Sequence, residues 1–86
     1  MAANSEQTKK RLNPIKRKQM GDRVAELEQE ISRTEGEIAR LETALQSFVS
    51  AEESQRQSQE LEQRKASHAN LIAEWEGLSQ ELEVSE

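Results

Sequence analysis

The apolar residues in the first half of this chain recur at alternating intervals of four and three. Met20, Val24, Leu27, Ile31, Thr34, Ile38, Leu41, Leu45 and Phe48 keep that rhythm throughout, with Thr34 its one polar member. Two such positions in every seven make a narrow stripe along a helix, which is the seam of a coiled coil rather than the broader face of a globular helix. In heptad terms Val24, Ile31, Ile38 and Leu45 take position a, and Met20, Leu27, Thr34, Leu41 and Phe48 take position d. A second seam runs Gln57, Leu61, Arg64, His68, Leu71, Trp75, Leu78, Leu82, with the same spacing, a polar first half and an apolar second half.

Start and stop signals bracket both stripes. Asn13-Pro14 opens the first, because Asn is a preferred N-cap and Pro suits the first helical position, where its missing N–H is not needed. The rhythm breaks at Ser47-Phe48-Val49-Ser50-Ala51-Glu52-Glu53. Both Ser50 with Glu53 and Ser54 with Gln57 fit a capping box for a second helix. These signals predict a helix over about 14–48, a turn over about 49–53 and a helix over about 54–83. Residues 1–12 have no apolar period and read as a flexible, disordered basic arm ahead of a 13–84 domain.

Two equal helices joined by a short polar turn fold back most simply as an antiparallel hairpin, in which a residues sit beside d residues of the facing helix. The trial register pairs Met20 with Leu82, Val24 with Leu78, Leu27 with Trp75, Ile31 with Leu71 and Leu41 with Leu61. Thr34 then faces His68, Ile38 faces the stem of Arg64, and Glu35 lies near Lys65 on the flank. The fold class expected is therefore all-α, a two-helix antiparallel coiled-coil hairpin acting as a monomer. The rival is a parallel homodimer of long helices, which β-branched residues at a and Leu at d also favour. The polar half of the second seam and the break at the turn weigh against it.

Composition narrows the picture further. Of 86 residues, 33% are hydrophobic and 34% charged, so a multilayered core is out of reach; two aromatics (Phe48 and Trp75), three Gly and one Pro also disfavour a sandwich or barrel. With no cysteine there is neither a disulfide framework nor a thiolate metal site. No apolar run nears the roughly 18 residues of a membrane span, so the expected setting is the cytoplasm, away from membranes. The charge is polarised. Residues 1–23 carry seven bases and two acids, a balance of +5, and residues 24–86 carry five bases and fifteen acids, a balance of −10. A basic end on an acidic rod points to an oriented contact with an anion.

Lys9, Lys10, Arg11, Lys16, Arg17, Lys18 and Arg23 are the candidate phosphate-binding residues, since neutralising a nucleic-acid backbone needs several bases on one surface and no base-reading groups. No aromatic lies among them to stack on single-stranded bases. A solubilising tail is the plainer reading of the same run. The chain has no Gly-rich phosphate loop and no catalytic constellation, so no enzymatic role, cofactor or metal is expected. His68 reads as a register-setting seam residue, and the many glutamates read as a solvated face lacking calcium-loop geometry. Trp75 is expected to be buried opposite Leu27, and Phe48 with Val49 to cap the tip rather than meet a partner.

Three stretches resemble a known family. Leu12-Asn13-Pro14-Ile15-Lys16, the run Arg23-Val24-Ala25-Glu26-Leu27-Glu28-Gln29-Glu30-Ile31, and above all Ala73-Glu74-Trp75-Glu76-Gly77-Leu78 look like the C-terminal, Uup-type domain of ABC-F ATPases. The resemblance spans roughly residues 9–83. It implies a two-helix antiparallel coiled coil behind a basic linker, the parent ATP-binding cassettes as partners in cis, and DNA or ribosomal RNA as the anion. ATP hydrolysis belongs to the cassettes of such proteins, and none of their motifs is present in this chain.

Overall fold

A computed structural model describes residues 13–84, which form two helices: α1 (Pro14–Leu45) and α2 (Ala51–Val84). They pack against each other side by side in opposite directions, as a hairpin. Each is about 50 Å long at 1.5 Å per residue. No helix among the described residues is long and apolar enough to cross a membrane.

The start of α1 follows its local chemistry. Asn13 is extended, its Oδ1 accepts the Lys16 backbone N–H at 2.7 Å, and Pro14 fills the first helical position. The end of α1 differs from the boundary of about 48 expected above. α1 stops at Leu45, because the Gln46 and Ser47 N–H groups turn back to Thr43 and Ala44 carbonyls at 3.1 Å each and tighten the chain out of the helix. Phe48 therefore leaves the seam although it keeps the heptad spacing. α2 begins at Ala51, because Ser50 is the one of the two candidate caps that forms. Its Oγ accepts the Glu53 N–H at 3.0 Å, while Ser54 lies inside the helix. Glu53 does not complete the box; its carboxylate takes bonds from Arg56 and Gln57 instead.

The seam packs in the expected register. Met20, Leu27 and Thr34 are the buried residues of α1, Leu61 is the buried residue of α2, and every other seam position from Val24 to Leu45 and from Gln57 to Leu82 is half-buried. Flanking pairs agree. The residues just before a positions meet across one side, as Arg23 meets Glu74, and those just after d positions meet across the other, as Lys65 meets Glu42 at 3.9 Å. The expected pairing of Glu35 with Lys65 does not form. Glu35 instead takes His68 Nε2 at 2.9 Å, since the imidazole, too polar for the seam, turns outward to the nearest carboxylate. Arg64 solves a similar problem. From its seam position it reaches Glu37 at 3.1 Å and Glu60 at 3.8 Å, holding together two acids that would otherwise repel across the flank.

Gly21, Gly36 and Gly77 lie inside the helices, and none has a positive φ. A Cβ at any of them would meet nothing within 4 Å. Each therefore weakens its helix with no packing reason for its presence. Replacing Gly36 and Gly77 together by alanine is expected to stabilise the hairpin by about 1–2 kcal/mol, raising its melting temperature by roughly 5–15 °C in a circular-dichroism melt. An unchanged or lower melting temperature would mean that these sites contact something the hairpin alone does not contain.

Candidate nucleic-acid interface

The open end of the hairpin brings the first turns of α1 beside the last turns of α2. α1 starts with Lys16, Arg17 and Lys18 and has no acidic residue in its first turn. Cations there oppose the positive end of the helix dipole, at about 0.3–1 kcal/mol each, so helix stability does not explain them. Lys16 and Lys18 are exposed. Lys18 Nζ pairs with Asp22 at 3.0 Å, but with more than two-thirds of both side chains in solvent the pair is readily exchanged for another anion. Arg17 occupies the seam position one heptad before Val24 and is half-buried. Glu81 and Glu83 on α2 share this end, so the exposed basic surface is the side of α1 that carries Lys16 and Lys18, with Arg17 at its edge towards the seam. Lys9, Lys10 and Arg11 lie outside the described residues.

Arg23 stands apart from this group. Its Nε and Nη2 donate to the two carboxylate oxygens of Glu74 at 2.9 and 3.1 Å, and its Nη1 donates to Glu26 at 3.1 Å with Glu30 at 3.7 Å. The fork on Glu74 is bidentate and joins the two helices. These bonds, first to Glu74 and then to Glu26, hold the guanidinium protonated even above its usual range, and the same link lowers Glu74 below the usual carboxylate range. Three of its five N–H groups are thus donated to carboxylates, which ties Arg23 to the hairpin. The signal was available in the chain: the register that pairs Leu27 with Trp75 also sets Glu74 on the flank facing Arg23.

The sign of this link fixes a pH dependence. A carboxyl with a lowered folded pKa stabilises the fold above its unfolded pKa and ceases to do so as pH falls through the folded value. Glu74→Gln is therefore expected to melt below the parent at pH 7, with the gap closing as pH falls through and below the ordinary glutamate range. Melts at several pH values check this; a gap constant across that range would show that Glu74 acts by shape and not by charge.

Two other expectations are corrected by the geometry. Trp75 is half-buried rather than buried; the fully buried residue of its layer is Leu27, and the indole Nε1–H donates outward to Glu28 at 3.1 Å. A ring that size cannot fit between two backbones already filled by Leu27. Phe48 and Val49 do not cap the tip: they are 74% and 75% exposed, on the segment between α1 and α2 that lies beyond the last seam layer. Among the described residues no group of His, Asp or Glu is placed to hold a metal ion.

No protein-family model, no curated protein and no solved structure matches the chain. Its functional reading rests on the geometry and on the resemblance of its motifs.

Proposed function

We propose that this chain is a non-catalytic accessory hairpin that binds nucleic acid, DNA or ribosomal RNA, through the phosphate backbone at its open end. Lys16, Arg17 and Lys18 make the contact, and Lys9, Lys10 and Arg11 extend it. Arg23 serves the hairpin instead. In keeping with the resemblance to ABC-F C-terminal domains, the parent ATP-binding cassettes in the cytoplasm are its partners in cis.

The observation that carries this reading is the placement of three successive bases in the opening turns of α1, against the helix dipole and without a first-turn acid. A bound anion is what makes that arrangement favourable. The remainder of the rod is acidic and repels nucleic acid, which orients the complex end-on. A second reading, a coiled coil that docks the cassettes or another protein, is favoured by the bare Phe48-Val49 tip.

A salt titration by fluorescence anisotropy, with a labelled duplex and a structured RNA, separates them. Each engaged phosphate contributes a slope of about −0.9 to log K against log salt, so six bases give at most about −5 and the three on α1 about −3. No binding at low salt would sink the nucleic-acid reading and favour the second.

A further inference from the structure

The two flanks of the hairpin are unlike. One is tied by the Arg23–Glu74 and Arg64–Glu37 bridges over a polar groove. On the other, the position after each d residue of α2 holds Ser58, Lys65, Ile72 and Ser79, so a lone branched apolar side chain interrupts a polar series. Ile72 is half-buried there, and with Ile31 and Trp75 it floors a groove of about 230 Å³ whose rims are Glu28, Ser32 and Glu35. A second groove of about 440 Å³ runs on from the other side of Trp75 past Glu76, Ser79, Gln80 and Glu83. From Ile72 to Glu83 the two extend about 16 Å along α2, two to three turns of a docked helix. The shoulder on α1 is small, with Ala25, Ser32 and Ala39 exposed, which lets a backbone approach closely.

Charge names the occupant. Glu28, Glu35, Glu76 and Glu83 are all exposed around the floor, and no lysine or arginine lines either groove. Glu28 and Glu35 each accept one bond, from Trp75 and His68, through a single oxygen, leaving the other open. A second copy of this acidic rod is repelled by such a rim. We infer that this flank docks a basic amphipathic helix of a partner, its apolar stripe on Ile31, Ile72 and Trp75 and its Lys or Arg residues on the four glutamates, completing a three-helix layer. The inference does not rest on the nucleic-acid reading.

Trp75 is the chain's one tryptophan, so its fluorescence reports directly on the groove. The probe is a synthetic amphipathic Leu/Lys helix of about 18 residues, with a Leu/Glu helix as control, titrated into the full chain. The expected result is a saturable blue shift of Trp75 with the Leu/Lys helix alone. Ile72→Ser, which leaves every charge in place, should weaken it at least about tenfold, the loss of one apolar anchor. The triple change of Glu35, Glu76 and Glu83 to Gln, which leaves the Glu28–Trp75 bond and the floor in place, should weaken it similarly with helicity retained. Phe48→Ser should leave it unchanged. Equal binding by Ile72→Ser would reduce the effect to charge adsorption and overturn the inference. So would preference for the Leu/Glu helix, absence of any Trp75 response, or light scattering that shows the chain covering Trp75 by dimerising with itself.

Discussion

Leu27→Ala is expected to unfold the hairpin at room temperature. Leu27 is the one fully buried large side chain of the described residues, and only Met20, Leu61 and Thr34 join it below the surface. Truncating a buried leucine removes about 2–5 kcal/mol, and a single core in a chain of this size rarely supplies more than about 3–5 kcal/mol. The loss is thus comparable to the whole stability. Trp75 is held to Glu28 on the flank and already excluded from the centre, so it does not collapse into the vacated space without giving up that bond. Far-UV circular dichroism should show the cooperative melt disappear at 25 °C. A variant that melts within a few degrees of the parent would mean that the seam is stabilised elsewhere, and the register would need revision.

Reversing Lys16, Arg17 and Lys18 to glutamate is expected to abolish nucleic-acid binding while leaving the helices formed. Three phosphate contacts are lost and three repulsions added, so affinity at low salt should fall by more than about a hundredfold. Helicity should hold or rise, since acids in a first turn complement the helix dipole that the native bases oppose. Arg23→Gln should do the reverse: it severs the bonds to Glu74 and Glu26 and lowers the melting temperature, with nucleic-acid affinity little changed. Parallel anisotropy and melting experiments on the two variants read this crossing directly. If Arg23→Gln weakened binding as much as the triple reversal does, the division between phosphate ligands and hairpin brace would be wrong.

Much of the architecture was readable in the chain because a coiled coil writes its packing as spacing. The alternating intervals set the faces, Asn13-Pro14 set the start of α1, and matching apolar with apolar layers set the register. What escaped depended on competition between neighbours. Phe48 keeps the heptad rhythm, yet the Gln46 and Ser47 turn and the Ser50 cap end the helix before it. Glu35 had two candidate partners within reach, and His68 takes it because an imidazole is poorly kept in an apolar seam while Lys65 reaches Glu42. Arg23 looked like part of a basic run because charge was counted along the chain. Its neighbours across the hairpin make it a brace. Ile72 drew no notice because it lies one residue off the seam, and only the outward tilt of Trp75 makes a groove of it.

The proposed contact is spatial: nucleic acid would meet the open end of the rod and not its flanks or tip. Heteronuclear NMR of the labelled chain during titration with a short duplex tests this most directly. Amide shifts should move with saturation for residues 15–20 and fade along the rod, with residues 46–53 unmoved. Shifts concentrated at the Phe48-Val49 tip, or spread along the acidic flanks, would contradict it.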